Sequence, residues 1–298
     1  MSGRLRKNSK KKEEKIHKPS RATRLFVVWR KLKKSELAIV GFCIVLFMSL
    51  VALLAPMIMP YRLNDYRISN QPPSMEHILG TDAMGRDMLS LVMYGARISI
   101  YVGLGAVLVE LAIGLSIGMI AGYFGGIIDE VLMRFTDVIF SLPTLLMLLL
   151  AVSMFEVRSI HLMLLIMGVL GWPFLARVVR SEYLSLREAT YVEAARSMGA
   201  SNSRIIVRHI LPNILSVIIV LATMDIPWFI LYEATLTYLG FGDPLSSSWG
   251  YLLQSGYPHM VSSPWIMIAP GLALVITSLG FNLLGDGLRD ALDIKVRE

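Results

Sequence analysis

Tyr191-Val192-Glu193-Ala194-Ala195-Arg196-Ser197-Met198-Gly199, running on to Arg208-His209-Ile210-Leu211-Pro212-Asn213, decides how this chain is read. The stretch is polar and helix-forming, it breaks at a glycine, and long apolar segments flank it on both sides. Charged side chains are costly in hydrocarbon, so the stretch lies outside lipid while its flanks lie within. From Ser185 to Arg196 strong helix formers dominate. Gly199 can take a left-handed cap and turn the chain, and Ser201 can N-cap a second helix. Pro212 marks re-entry into the next apolar segment. Two short helices joined at a glycine predict a compact polar knob. A plain amphipathic connector is the other reading of the same residues.

Outward from this stretch, the composition is that of a membrane protein. The chain has 298 residues, 55% hydrophobic and only 17% charged, where soluble domains carry about 25% charged residues. Mean hydropathy is +0.60. The apolar residues come in blocks of roughly 20, enough for a helix to cross about 30 Å of hydrocarbon. Six spans are expected, near 37–59, 98–122, 128–154 with a kink at Pro143, 160–179, 214–236 and 265–284. The fold class is therefore all-α: a polytopic, six-helix membrane protein.

The net charge of +7 is uneven, since residues 1–34 hold 14 of the 29 basic side chains. No aromatic interleaving or reading fold accompanies this run, which argues against nucleic acid and for a cytoplasmic tail beside anionic lipid. With the tail inside, an even number of spans puts the C-terminus inside too. The 181–212 loop then faces the cytoplasm, and Arg177, Arg180, Arg187, Arg196, Arg204 and Arg208 around it agree with that orientation. The expected organisation is a basic tail at 1–36, a first span and external segment at 37–97, a core of five spans at 98–285, and a cytoplasmic tail at 286–298. A short external link lies near Glu156-Val157-Arg158. The first apolar block is read as an uncleaved helix rather than a signal peptide.

Glycines at 114, 118, 122 and 126 recur at four-residue steps, a ridge for close helix approach either within the chain or against a partner subunit. Glu110, Asp137, Asp225 and Glu233 are acids inside apolar segments. Each is either bonded to a neighbouring helix or lines a polar path. Arg134 can pair with Glu130 or Asp137 at helical spacing. Asp82, in Gly80-Thr81-Asp82, can cap a short helix leading to Gly95, or this region can meet an external protein.

Several chemistries have no support. Gly122-Tyr123-Phe124-Gly125-Gly126 lacks the lysine and hydroxyl of a phosphate loop, and the five histidines show no metal-ligand spacing. Cys43 stands alone and makes no internal disulfide. No paired catalytic constellation stands out for an intramembrane enzyme, and no added soluble domain suggests a receptor.

The 191–213 stretch resembles the EAA loop of bacterial importer permeases, E-A-A-x-x-x-G followed nine residues later by I-x-L-P. Glu193, Ala194, Ala195 and Gly199 match it, and His209 stands where isoleucine is usual. Pro73–Asp87 with Tyr94-Gly95-Ala96-Arg97-Ile98-Ser99, Glu233–Gly242 with Ser248-Trp249-Gly250, and Phe281–Asp293 are similar to the C-type permease of the dipeptide, oligopeptide and nickel uptake family. The likeness covers about residues 30–295. The chain departs from that pattern at Leu91, where the family often has arginine, and mildly at Thr237, Tyr238 and Phe241. The resemblance implies a permease in the cell membrane that pairs with a B-type permease. Two cytoplasmic ATPases would carry ATP and Mg, and an external binding protein would deliver peptide, nickel or another small solute. It also implies that Glu193 offers a carboxylate to an ATPase, that Ala194 and Ala195 permit close contact, and that Gly199 sets the bend. The chain itself would hold no cofactor and no metal. Glu110, Asp137, Asp225 and Glu233 become the candidates for lining the path.

Overall fold

Ser35 opens the first helix, its Oγ accepting from the Ala38 N–H at 3.3 Å. Helix α1 then runs Glu36–Ile58. The computed structural model describes residues 30, 35–155 and 158–292. Most of the expected basic tail at 1–36 lies outside the described residues, as do Glu156 and Val157 of the short link and residues 293–298.

After a polar cap at 59–87, α2 runs Met88–Phe124 without interruption. It starts ten residues before the expected 98, because Ser90, Tyr94 and Arg97 continue the helix beyond its apolar part. Its N-cap is Asp87, not Asp82. Asp87 Oδ2 accepts from the Ser90 N–H at 2.8 Å. Asp82 instead closes a turn, accepting from Met84 N–H at 2.9 Å and Arg86 N–H at 2.8 Å.

The third span is broken rather than kinked. Helices α3 (Gly126–Phe140) and α4 (Thr144–Ser153) meet at 83° around Leu142-Pro143. The fourth is also broken, α5 (Ile160–Gly171) and α6 (Pro173–Leu186) meeting at 43°. Pro173 has no N–H to donate back into α5, so a new helix begins there. Beyond the loop come α7 (Thr190–Ser197), α8 (Asn202–Arg204), a π turn over Ile205–Ile210 and α9 (Leu211–Tyr238). Helix α10 (Trp249–Gly256) lies across the far end, and α11 (Trp265–Leu292) closes the chain. The expected tail at 286–298 therefore begins as helix. Among the described residues, four helices are long and apolar enough to cross a membrane, and the number is six with each bent pair taken as one span.

Helix α2 is the axis of the fold, packed against α6, α5, α9 and α1, while α11 lies along α1 and α9. The glycine ridge works within the chain. Gly114 faces Leu175, Gly118 faces Ala176 and Val179, and Gly122 faces Tyr183. A Cβ at Gly118 would sit 2.6 Å from the Ala176 carbonyl. Gly126 stands apart, in α3 with open space around it. Two apolar cores result. The larger spans α1, α2, α4, α5, α9, α10 and α11. The smaller joins Tyr123, Leu175, Val179 and Tyr183 to Val192, Ile205, Ile210, Ile214 and Ile218 at the loop end.

Candidate functional site

The loop between the fourth and fifth spans is a folded knob. Val192 and Ala195 lie on one face of α7 and are buried, Val192 in the smaller core with Ile205 and Ile210. Glu193, Ala194, Ser197 and Met198 lie on the opposite face and are exposed. The two alanines thus divide. Ala194 is on the surface, whereas Ala195 gives close approach inside the knob.

The bend after α7 is a Schellman cap. The Gly199 N–H bonds to Arg196 O at 3.0 Å and the Ala200 N–H to Ala195 O at 3.1 Å. Gly199 has φ +79°, and no atom lies within 4 Å of where a Cβ would stand. Its requirement is conformational, not spatial. Ser201 Oγ then accepts from the Arg204 N–H at 3.4 Å, the expected N-cap.

Side chains that carry no motif hold the knob in place. Tyr183, fully buried on α6, donates its O–H to Ile206 O at 3.1 Å in the π turn. Tyr123, in the last turn of α2, donates to Asn202 Oδ1 at 2.8 Å. Asn213 Nδ2 donates to Tyr191 Oη at 3.3 Å and to His209 O at 2.6 Å. Burial pushes the Tyr191 phenol above its ordinary pKa, more than the Asn213 bond lowers it, so it remains a neutral hydroxyl. The second half of the loop is therefore tied to α2 and α6, and the exposed face of α7 is carried on a fixed support.

The four intramembrane acids separate into three environments. Asp137 pairs with Arg177 across to α6 at 2.6 Å. Arg134 takes Glu130 at 3.1 Å, so of its two expected partners Asp137 is engaged elsewhere and two separate pairs result. Glu233 is buried and fully engaged. Its Oε2 accepts from Ser99 Oγ at 3.1 Å and its Oε1 from Thr237 Oγ1 at 3.0 Å. That network ties α2 to α9 and makes Glu233 a strut. Glu110 and Asp225 come together, lining one cavity of about 290 Å³. Sequence reasoning did not find this cavity, nor the bidentate Arg180–Asp129 contact (Nη2 to Oδ2 2.6 Å) that fixes α3 to α6. The proline at 173 was its one visible signal.

At the opposite end of the molecule, the acids of the cap are paired within it. Asp82 binds Arg86 at 2.7 Å, Asp87 binds the His77 ring at 2.9 Å, and Trp265 Nε1 donates to Thr81 O at 3.0 Å. Asp82 and Asp87 thus serve turn and cap chemistry.

Residues 114–298 match the family of binding-protein-dependent transport system inner membrane components. Residues 23–73 match the N-terminal TM domain of oligopeptide transport permease C. The chain is 39% identical over 274 residues to the oligopeptide transport system permease protein OppC of Bacillus subtilis (strain 168), covering 90% of this chain and 88% of that one. It is 40% identical over 272 residues to the dipeptide permease protein DppC of Alkalihalophilus pseudofirmus, covering 90% and 89%. To the glutathione permease protein GsiD of Pectobacterium atrosepticum it is 39% identical over 273 residues, covering 90% of each. A chain of the MetNI methionine ABC transporter, in an inward-facing conformation, shares the fold with TM-score 0.56 at 22% identity, over 68% of this chain and 97% of that one. With its apolar spans and its folded loop, the chain belongs to the inner membrane components of binding-protein-dependent transport systems, as a multi-pass permease subunit of an ABC importer.

Proposed function

We propose that this permease forms one half of a peptide importer's path, and that its 181–212 loop seats in a cytoplasmic ATPase subunit. The observation that carries the reading is the knob: a short helix whose inner face is packed and whose outer face, with Glu193, Ala194 and Met198, is exposed. A rigid support is what a force-transmitting contact requires, because a floppy loop would absorb the movement. Glu193 supplies a carboxylate to a basic group of the ATPase, and Met198 and Ala194 supply apolar contact.

In this reading both termini and the loop are cytoplasmic, in line with the basic tail and the arginines at the loop. A B-type permease encloses the path from the other side. Two ATPase subunits hold ATP and Mg and perform hydrolysis, and an external binding protein delivers cargo. The relatives named for oligopeptide, dipeptide and glutathione transport favour a peptide over nickel.

The test has two arms. Single cysteines replace Ser201 or Leu245, both exposed, in a Cys43→Ser background. In intact cells a membrane-impermeant thiol reagent should label position 245 and spare position 201 until the membrane is opened. The purified chain alone should hydrolyse no ATP. Assembled with the second permease and both ATPases, it should take up peptide when loaded binding protein is added. Labelling at 201 in sealed cells, or hydrolysis by the pure chain, overturns the reading.

A further inference from the structure

The two broken spans have a common consequence. The α3–α4 break brings Phe140 and Thr144, and the α5–α6 break Gly171 and Pro173, to the wall of the cavity into which α2 sets Glu110 and α9 sets Asp225. Trp228, Phe229 and Tyr232 complete an aromatic side. Glu110 is only 3% exposed, and its Oε2 has no hydrogen-bond partner. A buried acceptor without a donor is unfavourable and uncommon, and within a spanning segment an ionisable group marks a functional site by default.

Among the described residues no basic side chain neutralises the pair, since the ion pairs engage neither Glu110 nor Asp225. The nearby Arg177 is held by Asp137 and stacked on the Phe140 ring, 4.2 Å from its centre. A metal ion fits this donor set poorly. Among the described residues no three His, Cys, Asp or Glu gather at a metal site, and a hard cation asks for about six oxygens. An ammonium group fits it well, with three N–H donors for carboxylate oxygens and a charge that aromatic rings attract. The volume is near the low end of the roughly 300–1,000 Å³ of small-molecule pockets.

We propose that this cavity binds a protonated primary amine, with Glu110 and Asp225 accepting its N–H groups and the aromatic side covering its carbon chain. The source of the amine rests on the importer reading: it is the amino terminus of the peptide cargo in transit.

The experiment uses the full chain assembled with its partner subunits in lipid vesicles, with Thr144→Cys as the reporter in a Cys43→Ser background. The probes are phenylalanine amide, which carries an ammonium group, and its neutral N-acetyl derivative. Phenylalanine amide should slow maleimide labelling of the reporter at least fivefold, and the N-acetyl derivative should not. Glu110→Gln and Asp225→Asn should each raise the half-protecting concentration at least tenfold, while Glu130→Gln, at an exposed pair away from the cavity, should leave it unchanged. Should Glu110→Gln fail to assemble, Asp225→Asn decides alone. Equal protection by both probes, or undiminished protection in an assembled acid variant, overturns the proposal.

Vesicles of phosphatidylglycerol and phosphatidylcholine carry no primary-amine headgroup. Protection by the added amine should be the same there. A reporter already shielded without probe, and only when phosphatidylethanolamine is present, makes the amine a lipid's and overturns the assignment to cargo. Uptake driven by loaded binding protein is measured in the same vesicles. Normal uptake without amine protection sinks this inference alone. Amine protection without uptake leaves the site standing and sinks the importer reading.

Discussion

The two polar ends of this bundle use the same residue types to opposite purpose. At the cap end, Asp82, Asp87 and Glu233 are each saturated: by Arg86 and backbone N–H groups, by His77 and Ser90, and by Ser99 and Thr237. These acids hold elements together and have little left to offer a partner. At the loop end, the bonds are made by residues around the exposed face, Tyr123, Tyr183 and Asn213, while Glu193 stands outward on α7. A carboxylate consumed by its own fold is scaffold. A carboxylate displayed on a braced helix is available for recognition.

The largest effect that this contrast predicts is at Asp87. Asp87→Ala removes the N-cap of the 37-residue α2 and leaves the buried His77 ring without its partner. Losing an N-cap costs about 0.5–2 kcal/mol, and stranding a buried hydrogen-bonding group costs about 1–3 kcal/mol, so the purified protein should melt well below the parent and accumulate poorly. An unchanged melting temperature would show that the cap end is not scaffold.

Glu193→Lys should behave in the opposite way. Its side chain is exposed and packs against nothing in the cores, so folding and membrane insertion should be normal. In the proposed docking, the substitution removes a charge-assisted hydrogen bond to the ATPase, worth about 1.5–3 kcal/mol. Uptake by the assembled transporter should fall roughly 10- to 150-fold, and the ATPases should co-purify weakly. Normal uptake at normal expression would make the knob a passive connector.

Gly199 sharpens the comparison, because its site has space but an unusual backbone. With no atom within 4 Å of a Cβ, steric contact contributes nothing, and only the left-handed φ of +79° resists substitution. Gly199→Val should cost on the order of 1–2 kcal/mol or more, Gly199→Ala about 1 kcal/mol, and Gly199→Asn least, since asparagine tolerates that region. Uptake should follow that order. If valine and asparagine transport equally, the Schellman turn is not what positions α7.

Apolar runs make the spans legible, and Glu193 to Gly199 make the knob legible, because burial and backbone conformation constrain residue type locally. The break at Pro173 lies inside one expected span, and the fall in hydropathy beyond it, at Arg177 and Arg180, reads as the end of that span rather than as a bend. The start of α2 is hidden because Ser90, Tyr94 and Arg97 are polar, yet helix formation there follows from the Asp87 cap and not from hydropathy. Asp82 and Asp87 each stand two residues after a glycine, and only three-dimensional geometry tells cap from turn. The pairing of Asp137 with Arg177 spans forty residues of sequence, beyond any helical spacing rule. The meeting of Glu110 with Asp225 likewise depends on which faces of α2 and α9 turn toward the broken spans.

The smallest effects lie within the bracing of the knob, where two tyrosines do similar work in different surroundings. Tyr183 is fully buried, and its O–H reaches the Ile206 carbonyl, which also accepts from the Leu211 N–H. Tyr183→Phe removes one of two donors to that oxygen, at a cost of about 1 kcal/mol. Tyr123 reaches Asn202, which is exposed, so water replaces the missing hydroxyl in Tyr123→Phe and the cost falls to about half a kcal/mol or less. Thermal unfolding should rank the two variants in that order, both far below Asp87→Ala. Their effect on coupling should exceed their effect on stability, since each loosens the support of the α7 face without touching it. The measurement is uptake per ATP hydrolysed in the assembled transporter. A Tyr183→Phe protein that melts slightly lower but keeps full coupling would show that the packed core of Val192, Ile205 and Ile210 braces the knob without help from its hydrogen bonds.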